Sequence, residues 1–275
     1  MRAPEEQIDH IFAERQHRPE GFVMKRHHLH PYYEMYVVEK GTCRLFVNDA
    51  MYELREGSVR IIPPGFLHYT RYLSDCVRTA VYFREDMIHF SELSELPGFE
   101  QPLSSLRLFH IPDGFREELF HMLDRLIHET QHPDERSQKI SELILQEFLL
   151  TSSRVSPDFS AIPARIAAGD ETVLNAAAFI AAHYAEDINL HDIAAITGFS
   201  DNYFSRRFHE ATGTGVKEYL VFVRLRHGAQ ELRSTSHTIT KIAGHCGFHD
   251  SNYFKDAFKK QYGVSPREYR KQQAG

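Results

Sequence analysis

Three histidines and a glutamate stand at spacings that suit joint chemistry. His28, His30 and Glu34 share residue parity with Tyr36, so along an extended strand all four side chains leave the backbone on one side. His68 follows the turn-forming run Pro63-Pro64-Gly65 and offers a third imidazole of the same kind. Such a set allows three outcomes. It can hold a divalent metal in six-coordination with two positions left open, through His28, His30, Glu34 and His68. It can hydrogen-bond a small polar effector, with Tyr36, Arg44 and more weakly Tyr32 as added contacts. It can also merely solvate the mouth of a β-structure. A second store of polar chemistry lies near the other end of the chain. Asn202, Ser205, Arg206 and His209, and then Ser251, Asn252, Lys255 and Lys259, fall on the outer faces of two amphipathic stretches. Amide, hydroxyl and cationic side chains on a protruding helix are the groups that read base edges and grip phosphates.

The elements that must position the histidines are strands. Gly21, His28, His30, Glu34 and Gly41, followed by Gly57, Pro63, Gly65 and His68, closely resemble the paired motifs of cupins, small antiparallel barrels, over roughly residues 20–90. The stretches MYVVEKG, CRLFVNDAMYEL, SVRIIPP and RTAVYF supply β-branched and aromatic strand material, and the glycines and prolines mark turns. The asparagine that the cupin pattern places a few residues after His68 is missing, and Tyr72 stands there.

The polar faces near the end belong to a unit written twice. Ile193, Ala194, Gly198, Phe199 and Asp201 recur 49 positions later as Ile242, Ala243, Gly247, Phe248 and Asp250. Tyr203, Phe204, Phe208, Gly213, Glu218 and Tyr219 recur after 50 as Tyr253, Phe254, Phe258, Gly263, Glu268 and Tyr269. An internal repeat means one structural unit used twice. Phe204/Phe208 and Phe254/Phe258, four apart, place both rings on one helix face. Small Ala194 and Ala243 let two helices cross closely, and Gly198 and Gly247 supply the tight turn between them. Each unit therefore predicts a helix-turn-helix. A single helix from Val216 to about Arg233, about 27 Å long, separates the two second helices, which with its turns suits neighbouring turns of one DNA duplex about 34 Å apart.

From about Asp170 onward the chain resembles the DNA-binding domain of AraC-type bacterial transcription regulators. The likeness is strongest over RLRHGAQELRSTSHTITKIAGHCGFHDSNYFKDAFKKQYGVSPREYR, where Arg224-Leu225, Thr235, Ile239, Gly247-Phe248, Tyr253-Phe254, Gly263, Pro266 and Tyr269-Arg270 fall on family positions. Three residues depart from the pattern. Gly228 replaces the usual alanine of the linking helix at about 1 kcal/mol of helix propensity, Glu231 replaces an apolar residue, and Asp256 occupies a position that is often basic. The resemblance implies base-facing roles for Asn202, Ser205, Arg206, Asn252 and Lys255, a double-stranded promoter as partner, RNA polymerase as a candidate partner, activation rather than repression, and a homodimer. It also implies that the amino-terminal part binds a small polar effector such as a sugar. A metal-dependent cupin enzyme or a metal sensor fused to a DNA-binding tail stands as the alternative, with a divalent metal as its cofactor.

Two amphipathic helices connect the halves. Phe115, Leu119, Met122, Leu123 and Leu126 form one stripe; after a break at His132-Pro133, Ile140, Leu143, Ile144, Glu147 and Phe148 form another. They either cap the barrel or pair between subunits. The whole predicts an α+β chain: a cupin-like antiparallel β-barrel at 1–92, a helical dimerisation segment at 93–153, a linker at 154–169, and an all-α double helix-turn-helix domain at 170–275. Charge follows the same division. From Asp201 to the end thirteen basic residues face seven acidic ones, a balance of +6, so the rest carries −12 of the −6 total. The basic excess lies where a polyanion would bind. No run approaches the roughly 20 apolar residues that span a bilayer, and the start MRAPEEQIDH lacks a signal-peptide core. These features predict a cytoplasmic protein, and the resemblance implies one that is not an enzyme. Cys43, Cys76 and Cys246, far apart in sequence, predict buried reduced thiols.

Overall fold

Alternating apolar and polar residues in the first hundred positions give way to helical periodicity, and the structure divides accordingly. The computed structural model describes residues 8–22, 24, 28–100, 103, 107–159 and 171–273. Among these, eight strands come first: β1 Phe12–Arg18, β2 Tyr33–Lys40, β3 Thr42–Val47, β4 Ala50–Arg55, β5 Ser58–Ile62, β6 His68–Tyr72, β7 Cys76–Phe83 and, after the one-turn helix α1 Phe90–Leu93, β8 Arg107–His110. They form two antiparallel sheets, one ordered β1-β7-β2-β5-β8 and the other β4-β3-β6. CRLFVNDAMYEL forms the β3–β4 hairpin, turning where Asn48 takes a left-handed φ of 54°.

Both faces of the five-stranded sheet are covered, which is why β2 and β5 are buried along nearly their whole length. One face, carrying Met35, Val37, Val59 and Ile61, packs beneath α2 Asp113–Gln131 and α3 Ser137–Val155. The other, carrying Tyr36, Val38 and Ile62, meets Cys43, Leu45, Tyr52 and Leu54 of the smaller sheet. Antiparallel strands alternate their side chains between such faces. The two helices cap the sheet, with Leu119, Met122, Leu123 and Leu126 of α2 turned inward as the spacing predicts. The stripe predicted for α3 is rotated. Leu145, Leu149 and Ser141 join Ile144 and Phe148 inside, whereas Leu143 is 53% exposed and Glu147 faces out. Strand β8, within the segment read as helical, pairs with β5.

The remaining helices are α4 Glu171–His183, α5 Leu190–Ala195, α6 Asp201–Thr212, α7 Val216–Ser234, α8 Ile239–His245, α9 Ser251–Tyr262 and α10 Pro266–Gln273. Their ends carry the expected signals. Asn189 and Asp192 form a capping box at α5, Thr238 caps α8, and Asp250 caps α9. Gly198 and Gly247 turn each unit at φ of 73° and 79°. Of the linker predicted at 154–169, residues 160–169 lie outside the described residues.

One arrangement goes beyond the sequence. The outer face of the small sheet (Phe46, Met51 and Tyr69), with Leu67 just before β6, shares a single apolar core with Val173 and Ile180 of α4 and Ile193, Phe208 and Tyr219 of α5, α6 and α7. Tyr219 donates a 2.6 Å hydrogen bond from its hydroxyl to the carbonyl of Asn48 in the β3–β4 turn. The second unit packs around a separate core of Ile242, Ala243, Phe254 and Phe258.

Candidate functional site

The buried end of the inter-sheet space holds most of the predicted histidine set. His30 lies before β2, separated from it by a bend at Pro31-Tyr32, Glu34 lies on the strand, and β6 begins with His68. Backbone bonds between His28 and His68, at 2.8 and 3.1 Å, tie the incoming segment to β6. Nε2 of His30 and Nε2 of His68 each lie 3.0 Å from the same Glu34 oxygen. All three residues are buried. The other ring nitrogen of each histidine is committed: Nδ1 of His30 donates to the Tyr32 carbonyl at 2.8 Å and Nδ1 of His68 to the Phe66 carbonyl at 3.0 Å.

That pattern has a definite chemical meaning. With Nδ1–H given to a carbonyl, each neutral imidazole points its Nε2 lone pair at a carboxylate oxygen. Three lone pairs converging in this way require a positive charge among them, either a proton or a divalent ion. Backbone carbonyls on the far nitrogens are also the usual outer support of metal-bound histidines. An octahedral ion with bonds of about 2.1 Å has neighbouring ligand atoms about 3.0 Å apart, so the donor set fits. His30, His68 and Glu34 would hold such an ion, which would supply a Lewis-acidic anchor for an oxygen ligand. His28 stands outside this trio, its ring centroid 5.8 Å from that of His68. Burial, with His68 beside it, pushes the His28 pKa down to about 4, so its ring is neutral at pH 7. Burial alone would raise the Glu34 pKa, but His68 and His30 hold its carboxyl well below the ordinary range.

The rest of the interior is phenolic and cationic. Tyr36 is hydrogen-bonded to Tyr72 at 3.0 Å, and its ring lies 5.2 Å from the Arg78 guanidinium. Arg78 donates to Gln16 at 2.9 Å and approaches Glu14 at 3.5 Å and Glu34 at 3.9 Å. Glu14 and Gln16 also line a cleft of about 470 Å3 between β1 and the end of α2. Arg44 does not join this group. It sits on the outer face of β3, 43% exposed at its side chain and 3.5 Å from Glu53 of β4, because its parity is opposite to that of Cys43 and Leu45. Arg60 and Arg78, which sequence reasoning passed over, are buried instead. Cys43 and Cys76, distant in sequence, are neighbours here, and a thiol hydrogen bond between them raises the pKa of Cys43 and lowers that of Cys76. Cys246 is alone in the second unit's core, where burial pushes its thiol up to about 12.

On the two predicted reading helices, α6 and α9, Asn202, Arg206, His209, Asn252, Lys255 and Lys259 are exposed and Ser205 and Ser251 half-buried. Phe204, Phe208, Phe254 and Phe258 are fully buried beneath them. Two aromatics are added to these faces: Tyr203 and Tyr253, equivalent in the repeat, are 38% and 51% exposed. The three departures from the family pattern also find partners or space. Glu231 lies 3.5 Å from Nδ1 of His237 and 3.3 Å from Nδ1 of His245, and Asp256 is exposed. A Cβ on Gly228 would come within 2.8 Å of the Phe254 ring.

Known proteins match both halves. Residues 11–151 match the AraC-like ligand binding domain, and residues 193–272 match a helix-turn-helix domain. Over 250 residues the chain is 25% identical to the HTH-type transcriptional activator RhaS of Enterobacter sp. (strain 638), covering 88% of this chain and 86% of that protein. The HTH-type transcriptional activator RhaR of Pectobacterium carotovorum subsp. carotovorum (strain PC1) is 29% identical over 264 residues, covering 94% and 89%. Among solved structures, ToxT from Vibrio cholerae O395 aligns with 98% of this chain and 100% of its own, at 14% identity and a TM-score of 0.39. A ligand-binding half joined to paired helix-turn-helix units, matched along most of its length by transcriptional activators, places this chain in the AraC family of DNA-binding transcription regulators.

Proposed function

We propose that this regulator activates transcription in response to a small polar effector, a sugar or sugar-like molecule, bound between the two sheets by His28, His30, Glu34, Tyr36 and His68. The observation that carries this reading is the buried His30–Glu34–His68 cluster, an expensive desolvation of polar groups in a member of a regulator family. Asn202, Ser205 and Arg206 read one major-groove segment, and Ser251, Asn252 and Lys255, with Lys259 on phosphate, read the next. Helix α7 has 19 residues and so spans about 28 Å, which supports that spacing. The active form is a cytoplasmic homodimer joined through the exposed side of α3, and RNA polymerase is its partner at the promoter. The residues before β8 and the helices after it act as one sensing unit, with 170–275 as the DNA-binding unit.

The test is protection of promoter DNA by the full chain across a panel of sugars. One compound is expected to change the protection by wild type and to leave that by Glu34→Gln unchanged. A protection pattern indifferent to every compound, or equally altered in both proteins, sinks the effector assignment. The convergent lone pairs favour a second reading in which a divalent ion occupies His30, Glu34 and His68 and completes the effector site. Elemental analysis of the purified chain should then give about one equivalent of metal, lost in His30→Ala; metal-free protein that still responds to its effector removes this reading.

A further inference from the structure

Arg60 is the least expected group in the molecule. It is fully buried, and among the described residues its three side-chain nitrogens make no well-formed hydrogen bond, with the Tyr52 phenol as a weak polar neighbour. Its guanidinium stacks on the Tyr52 ring at 3.9 Å, and in the sheet it stands opposite Tyr36. Because Val59 and Ile61 face the helices, Arg60 and Ile62 face the space between the sheets. Burial lowers its pKa to about 10, so the group still carries its charge at neutral pH.

An aromatic face offsets part of this desolvation and satisfies none of the N–H donors. Among the described residues, no carboxylate of the interior is left to do so. Glu34 is engaged by His30 and His68, and Glu14 and Gln16 lie against Arg78. Arg78 stands on β7, across β2 from the strand of Arg60, and its Nε and Nη1 also lack hydrogen-bond partners. The interior therefore presents two desolvated guanidiniums with donors to spare. A planar fork of N–H groups matches a carboxylate through two parallel bonds. Hydroxyls on the same ligand would meet Tyr36, Tyr72 and the histidine cluster.

From this geometry we infer that the effector is an acid: a hydroxylated carboxylate of the sugar-acid type, with its carboxylate held by Arg60 and its hydroxyls turned toward the His30–Glu34–His68 end. The inference rests on the proposed effector site and sharpens its chemistry. Unfilled, Arg60 is a liability; filled, it is the anchor.

The experiment compares matched acids and neutral sugars on the full chain by thermal denaturation at constant ionic strength: D-galacturonate and D-gluconate against D-galactose and D-glucose, with glucose 6-phosphate as the other anion. An acid present at about a hundredfold its Kd is expected to raise the Tm of wild type by about 5 °C, with no shift from its neutral partner. Arg60→Met should abolish that rise and, by removing an unpaired buried charge, melt higher than wild type without ligand. Arg60→Lys, which keeps the charge but not the fork, should retain a smaller rise. A galactose shift that survives Arg60→Met but not Glu34→Gln overturns the acid and leaves the polar-effector reading standing. A response to glucose 6-phosphate alone, or no response to any acid, overturns the carboxylate assignment as well. In the latter case a lower Tm for Arg60→Met marks Arg60 as a packing residue.

Discussion

At the scale of single residues, strand parity decided what could be read in advance. His30, Glu34 and His68 converge as the spacing and the cupin resemblance predict, and Tyr36, on the same face of β2 as Glu34, pairs instead with Tyr72. Arg44 was misplaced because its parity on β3, opposite to that of Cys43 and Leu45, turns it outward, and Arg60 was missed because β5 is buried on both faces, so its sequence SVRII carries no alternation to say which side is which. Only pairing with β2 and stacking on Tyr52 reveal the inward face. The residues proposed to face DNA are a simpler case, because a helix over a buried aromatic pair fixes its outer face. Arg206, exposed on α6 and only 4.0 Å from Glu210, is free to exchange that weak surface pair for a base. Arg206→Ala is expected to cost about 1–3 kcal/mol at a specific operator. Titration of one operator fragment measures it, and an unchanged Kd removes Arg206 from the reading set.

At the scale of elements, the duplication was the clearest signal in the chain. Both turns, both aromatic pairs and the linking helix lie where the repeat places them. Gly228 looked like a defect in that helix, and packing explains it. A methyl group there would meet Phe254 at 2.8 Å, with Cys246 sulfur at 3.7 Å behind it. Gly228→Ala should therefore destabilise the protein, because overpacking at about 1–3 kcal/mol outweighs the roughly 1 kcal/mol gained in helix propensity. Chemical denaturation decides the sign, and a more stable variant shows that Phe254 yields. Helix α3 was less legible. Two faces of similar hydrophobicity competed, and the one carrying Leu145 and Leu149 was drawn under by the sheet. That leaves Leu143 outside, with Ile140 half-buried on the same helix. If this is the subunit contact, Leu143→Glu should halve the mass measured by light scattering while leaving the helical content intact; an unchanged mass places the dimer contact elsewhere.

At the scale of the whole molecule, the sequence suggested two halves joined by a linker, and the structure joins them through a core. Apolar residues of β3, β4 and β6 that lie outside the sheets have no local signature of a partner 150 residues away, so this contact was invisible beforehand. The repeat provides its own control. Gly213 and Gly263 end equivalent helices at φ of 71° and 76°. A Cβ at Gly263 would meet nothing within 4 Å, whereas one at Gly213 would lie 2.2 Å from the Tyr69 ring. Gly263→Ala should cost only the left-handed backbone strain of about 1–2 kcal/mol. Gly213→Ala should cost more and separate the sheet from the first reading unit, which calorimetry would register as a second unfolding transition. Equal losses in the two variants would mean that Tyr69 swings aside. Strand β6 would carry the proposed effector response into this contact, since His68 faces the His30–Glu34 pair and its neighbour Tyr69 faces the first helix-turn-helix.

That shared core also bears on how portable these parts are. The second reading unit could be transplanted with its own interior complete, but the first would arrive with Phe208 and Tyr219 stripped of Phe46 and Tyr69. Grafting a foreign sensor onto this tail would therefore require replicating a matching patch on the newcomer, and descent by swapping sensors would leave its trace as coordinated change on both sides of that seam.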